Sequence, residues 1–170
     1  TINAASQFPA CAAFDVDRDG YIDIYSGGWW YEAPTWKKHK VRDVPQIRGR
    51  YDDYSNQAMD CNGDGWTDII SVNYRSETIY WIEHPGKKLG EQDWTAHVIY
   101  KPWPSETGRL HDIDGDGDLD ILPNGTTYAA WYEFAPDRSA GVPADDGRNA
   151  RAPWIPKWIK HDLPPEAAGH

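Results

Sequence analysis

The chain has 170 residues, enough for one ordinary domain with its own core. Its 27 acidic against 17 basic residues leave a formal charge of −10, which excludes nucleic acid as the expected partner, because phosphates reward clustered Lys and Arg, and suits a chain that binds cations. No run of 18 apolar residues predicts a membrane span, and no charged start followed by an apolar segment marks a signal peptide.

In chain order, the first landmark is Phe14-Asp-Val-Asp-Arg-Asp-Gly-Tyr-Ile-Asp23-Ile24. The same pattern returns as Met59-Asp-Cys-Asn-Gly-Asp-Gly-Trp-Thr-Asp68-Ile69 and as His111-Asp-Ile-Asp-Gly-Asp-Gly-Asp-Leu-Asp120-Ile121. The leading aspartates, Asp15, Asp60 and Asp112, lie 45 and 52 residues apart. Each loop is followed by Trp-x-Glu: Trp30 with Glu32, Trp81 with Glu83, Trp131 with Glu133. A proline comes next (Pro34, Pro85, Pro136), then Trp-x-x-His: Trp36 to His39, Trp94 to His97, Trp158 to His161.

The segments between landmarks are short and rich in β-formers. Residues 69–73, 78–83 and 95–100 read as strands, punctuated by Gly, Pro, Asn and Asp, and no stretch has helical periodicity. A unit of this length with about four short strands is the size of a propeller blade. Strand A precedes the aspartate loop, strand B follows it, strand C holds Trp-x-Glu and strand D holds Trp-x-x-His. The expected fold is all-β, with four-stranded blades at about 8–44, 52–101 and 106–163, and 164–170 leading into a further blade. Three blades do not close a ring, so the expectation is a segment of a larger propeller, completed by the same polypeptide or by other chains. Residues 137–153, rich in Ala, Gly, Pro, Asp and Arg, read as a surface insertion between strands C and D of the third blade.

Asp-x-Asp-x-Asp-Gly-x-x-Asp offers a hard cation the oxygens it needs. Positions 1, 3, 5 and 9 give side chains and position 7 a backbone carbonyl. The expected ligands are Asp15, Asp17, Asp19, Tyr21 and Asp23 in the first loop. In the second they are Asp60, Asn62, Asp64, Trp66 and Asp68, and in the third Asp112, Asp114, Asp116, Asp118 and Asp120. Gly20, Gly65 and Gly117 allow the sharp turn. Up to three Ca2+ ions are expected in a structural role, the second loop binding more weakly because Asn62 removes one charge. Magnesium fits less well, since it keeps more water. An EF-hand needs flanking helices and a Glu at position 12, where Ser26, Ser71 and Pro123 stand.

These residues resemble the FG-GAP/VCBS repeat family of integrin-type propellers, in the bacterial branch that carries Trp-Tyr-Glu-x-Pro and Trp-x-x-His. The resemblance implies a propeller of about six to eight blades, calcium between strands A and B, and an extracytoplasmic setting (secreted, periplasmic or cell-surface). It implies no single activity. The reading that follows is a ligand- or glycan-binding or scaffolding module; the alternative is part of a carbohydrate-active enzyme, of polysaccharide lyase or sugar dehydratase type.

Opposite the aspartate loops lie the lead-ins to strand A and the ends of strand B. The expected ligand-binding residues there are Trp29, Tyr51, Asp52, Asp53, Tyr54, Asn56, Asn73, Tyr74, Arg75, Glu106, Arg109 and Asn124, with Ser55, Ser105, Thr107, Thr126 and His170 nearby. Rings stack on sugar faces and polar groups bind hydroxyls. The repeated histidines and tryptophans read as blade packing, because equivalent positions in different blades lie far apart. Cys11 and Cys61 pair or stay as free small residues; spacing does not decide.

Overall fold

The computed structural model describes residues 1–125, 129–140 and 154–164. It is built from three four-stranded antiparallel sheets and one short hairpin. The first sheet holds β1 (Ala12–Phe14), β2 (Asp23–Ser26), β3 (Trp29–Glu32) and β4 (Lys37–Lys40) in that order. The hairpin β5 (Gln46–Ile47) and β6 (Arg50–Tyr51) comes next. The second sheet holds β7 (Ser55–Met59), β8 (Asp68–Val72), β9 (Ile79–Glu83) and β10 (Thr95–Tyr100). The third holds β11 (Gly108–His111), β12 (Asp120–Pro123), β13 (Ala130–Phe134) and β14 (Trp158–Asp162). Each sheet is a propeller blade, in sequence order from inner to outer strand. The innermost strand β7 packs against β1 on one side and β11 on the other.

The hydrophobic core lies between blades rather than within one. Phe14, Val16, Tyr25, Trp30 and Val41 of the first blade meet Ile69, Ile82 and Trp94 of the second. Met59, Cys61, Ile70, Val72 and Ile79 of the second meet Ile121, Tyr132 and Phe134 of the third. Alternation along β8 therefore sends Ile69 to one neighbour and Ile70 and Val72 to the other, and the whole strand is buried. Burying such a side chain stabilises by roughly 1.5–3 kcal/mol, so the middle blade depends on both neighbours.

Inner strands approach closely at Gly108, where a Cβ would fall 2.5 Å from Val72 Cγ2. The Ser55 hydroxyl bridges the same gap by accepting the Gly108 N–H at 3.1 Å.

The β5–β6 hairpin lay outside the sequence expectation. Arg48 (φ 51°) and Gly49 (φ 75°) both sit in the left-handed region, as a two-residue type I′ turn requires; two-residue strands leave too little alternation to read. Trp36 also departs from its repeat. Trp94 is buried and Trp158 packs against the second core, whereas Trp36 stands 39% exposed in the turn before β4, at φ 58°. The short C–D connection of the first blade turns it outward. Cys11 is exposed, Cys61 is buried, and both are free. Among the described residues, no helix is long and apolar enough to cross a membrane.

Candidate metal loops and ligand rim

The three aspartate loops fold alike because their own carboxylates organise the turn. The position-1 aspartate accepts N–H groups from inside the loop. Asp15 takes those of Asp19 and Gly20 at 3.1 and 3.0 Å. Asp60 takes those of Gly63 and Gly65 at 2.7 and 3.0 Å. Asp112 takes those of Gly115 and Gly117 at 2.7 and 3.1 Å. Position 5 accepts the N–H of position 7 at 2.8 Å every time, from Tyr21, Trp66 and Asp118. Position 6 is left-handed in each loop, at Gly20, Gly65 and Gly117.

This wrapping draws oxygens together. Ligand atoms of Asp15, Asp17 and Asp19 lie within 4.8 Å of one another, and so do those of Asp112, Asp114 and Asp116. Burial and the neighbouring Asp19 charge raise the Asp17 carboxyl pKa, with further push from Asp23 and Glu32. Hard oxygen donors so arranged fit Ca2+. In the second loop the Asn62 amide nitrogen stands within 3.3 Å of Asp64 Oδ2 and 3.4 Å of Glu83 Oε1, where the other loops bring a third carboxylate.

The position-9 aspartates are placed differently. Asp23, Asp68 and Asp120 are fully buried, and both oxygens of each hold backbone. One accepts the N–H of loop position 2, from Val16, Cys61 or Ile113, at 2.9–3.0 Å. The other accepts an N–H at the end of strand C, from Ala33 or His84 just beyond it or from Phe134, its last residue, at 2.8–2.9 Å. Each is a strut that ties its loop to the end of strand C. Burial raises all three pKa values, Asp68 to about 7.

The strut brings the strand-C glutamate beside its loop. Glu32, Glu83 and Glu133 lie 2.6, 2.7 and 2.6 Å from Nε2 of His39, His97 and His161. Each imidazole stacks on the indole directly opposite it, at 4.3–4.4 Å between ring centres, as in Trp30–His39, Trp81–His97 and Trp131–His161. The histidines are thus packing residues that also fix a glutamate. The repeated Trp-x-Glu is visible in sequence; its pairing with the histidine of the next strand is not.

Contacts between loops add a layer that sequence reasoning missed. Arg18 occupies position 4 at φ 65°, where the other loops have Gly63 and Gly115. Its guanidinium donates to the Gly65 carbonyl oxygen and stacks on Trp66 at 4.2 Å. Arg138 pairs with Asp118 at 2.5 Å and lies over Trp154. Trp154 in turn donates to the carbonyl oxygens of Asn62 (backbone N–H, 2.6 Å) and Cys61 (indole N–H, 2.7 Å). The two described ends of the long C–D connection are therefore anchored on the loops; 141–153 lies outside the described residues.

At the opposite end, lead-ins and strand-B ends meet as expected. Tyr54 N–H donates to Asn73 Oδ1 at 3.2 Å, Ser76 N–H to Asp52 Oδ1 at 3.1 Å, and Thr107 N–H to Asn124 Oδ1 at 2.8 Å. The rim residues then separate into two groups. Asp52, Asp53, Asn56 and Asn73 are buried scaffold. Asp53 accepts the Asn56 amide at 2.9 Å, and burial lifts its pKa to about 6, against the pull of Asn56 and Arg42. Tyr51, Tyr54, Tyr74 and Arg75 remain accessible. Arg75 Nε donates to the Tyr54 hydroxyl at 3.0 Å, and the Tyr54 and Tyr74 rings lie 5.9 Å apart. Lys38 caps the Trp29 ring at 3.7 Å. Glu106, Arg109 and Asn124 are exposed, apart from this cluster. Thr126 and His170 lie outside the described residues.

A family described as FG-GAP-like repeat matches residues 60–122, from the second aspartate loop to the strand after the third. No curated protein matches the chain.

Proposed function

From the FG-GAP-like match over residues 60–122 and the three blades around it, we propose that the chain forms a calcium-stabilised binding or scaffolding module. One observation carries the reading: two copies of an aspartate triplet, Asp15–Asp17–Asp19 and Asp112–Asp114–Asp116, with oxygens converged within 4.8 Å. Like charges held this close repel unless a cation neutralises them. Bound Ca2+ would add Asp oxygens and the carbonyl of Tyr21 or Asp118 to its shell, and the buried Asp23 and Asp120 struts would hold the loop closed around it. The second loop, with Asn62 donating to its neighbours, is assigned the weakest site. An extracytoplasmic location is the setting we assign, where calcium modules work at roughly 10⁻⁴–10⁻³ M.

Titration calorimetry on calcium-stripped protein tests this. Two stronger sites are expected beside the weak second loop, one lost in Asp17→Ala and the other in Asp114→Ala, and excess chelator lowers the melting temperature. Unchanged melting in chelator together with no heat of binding overturns the reading.

Further blades, from the same polypeptide or another chain, complete the ring. Leu122 supports this. It stands two residues after the strut Asp120, as Ile70 stands two after Asp68. Ile70 is buried against the next blade, whereas Leu122 is 41% exposed.

The module's ligand belongs on the tyrosine rim, where Arg75 fixes the Tyr54 hydroxyl. A glycan is the ligand class we assign. Turnover of a polysaccharide by the chain, abolished in Tyr54→Phe, would move it to the enzyme alternative.

A further inference from the structure

Beside Tyr54 the rim holds a cavity of about 220 Å³, lined by Gln7, Pro9, Gly49, Arg50, Tyr51 and Tyr54. One wall is the segment before β1 and the other is the β5–β6 hairpin. Both walls are fixed. Phe8 fills the space that a side chain at Gly27 would need, and its ring lies 4.6 Å from that of Tyr51. The type I′ turn at Arg48 and Gly49 sets the direction of Arg50. Tyr54 is held at its backbone by Asn73 and at its hydroxyl by Arg75. The turn carrying Arg75 is tied down through Ser76 to buried Asp52. A preformed site of this kind loses little on ordering.

Charge gives the site a sign. The aspartate loops concentrate the acids of the chain at the other end of the blades. On this rim Asp52 and Asp53 are buried. Arg50 lines the cavity and Arg75 borders it through Tyr54, and a guanidinium is the natural clamp for a planar carboxylate. The volume lies below the roughly 300–1,000 Å³ that holds a drug-sized ligand, so it takes one ring, with neighbouring residues of an oligomer crossing the rim. Tyrosines supply the flat faces that stack on pyranose C–H groups and hydroxyls that bond their oxygens.

We propose that this cavity binds one carboxylate-bearing sugar residue of an acidic polysaccharide, its ring against Tyr51 and Tyr54 and its carboxylate on Arg50 and Arg75. The proposal rests on the ligand-rim reading and narrows it to the uronates. Glu77, exposed on the Arg75 turn, works against binding.

The test is calorimetry of the full chain with galacturonate, glucuronate and mannuronate oligomers, each alongside its methyl ester. At least one acid oligomer is expected to bind, about tenfold or more tighter than its ester, as loss of a charged hydrogen bond implies. In Arg50→Gln and Arg75→Gln the preference for the acid over its own ester falls about tenfold, with melting temperatures as controls for folding; Glu77→Gln tightens the acid. Equal affinity for acid and ester overturns the uronate assignment while the rim reading stands. Binding unaffected by both arginine substitutions overturns the cavity. No binding of any acid, ester or neutral oligosaccharide overturns the rim reading itself.

Discussion

The indole N–H of Trp154 donates to the Cys61 carbonyl oxygen at 2.7 Å, joining residues 93 positions apart. The same ring roofs Gly63, where a Cβ would fall 2.5 Å from it. The third blade therefore closes over the loop of the second.

Gly63→Ala tests that roof. Gly63 (φ 71°) and Gly90 (φ 82°) are both left-handed, but a Cβ at Gly90 meets open space. Gly90→Ala is expected to cost about 1 kcal/mol from backbone strain alone. Gly63→Ala adds a clash and is expected to cost about 1–3 kcal/mol more. Denaturant midpoints of the two variants read the difference; equal losses would show that Trp154 yields freely.

The second loop offers a gain of function. Asn62→Asp restores the carboxylate at position 3 and removes the amide that now stands between Asp64 and Glu83. A third calcium site is expected, or a clear tightening of a weak one, read by calorimetry. In calcium-free buffer the same variant is expected to melt lower, because three carboxylates then crowd one turn.

Asp53 supplies a pH signature away from the metal loops. Burial holds its folded pKa near 6 against an ordinary 3.8. The folded chain thus keeps a proton that the unfolded chain has released. Its contribution to stability is full below about pH 4, falls as pH rises toward 6, and is constant above. The loss across that window is at most about 3 kcal/mol. Asp53→Asn is expected to flatten this part of the stability profile, measured by urea unfolding from pH 4 to 7. An unchanged slope would place the titration elsewhere.

The three histidine–glutamate pairs invite a double-mutant cycle. His97→Phe keeps the ring stacked on Trp81 but removes the 2.7 Å bond to Glu83. Both partners are more than a third exposed, so a coupling energy of only about 0.5–1 kcal/mol is expected between His97→Phe and Glu83→Gln. A weaker second loop for calcium in either variant would add a role for Glu83 beside the ion.

Sequence made the repeat plain, because the position-6 glycines and the loop carboxylates are demanded by geometry and recur in register. Thr95–Tyr100 was read to the residue, and the strands around Ile69 and Ile79 to within one. What stayed hidden depends on the third dimension. Nothing in a string of aspartates says that the ninth, at Asp23, Asp68 and Asp120, turns inward to hold two N–H groups. Asp52 and Asp53 read as rim groups from their place in the lead-in to strand A; only packing shows them buried. The role of Arg18 is hidden in sequence because its partner Trp66 belongs to another repeat.

A core that lies between sheets has a consequence for inheritance. Ile69 and Ile70 are neighbours in the chain but serve different seams, so no single sheet contains a complete apolar interior. The heritable unit is therefore not the sheet but the seam. Copying one whole repeat in register copies a left face and a right face together, and the copy fits between its parents without new complementarity. A cut anywhere else would strand half a seam. Substitutions across a seam, such as Val72 opposite Gly108, are expected to change in pairs, while those on opposite faces of one strand drift independently.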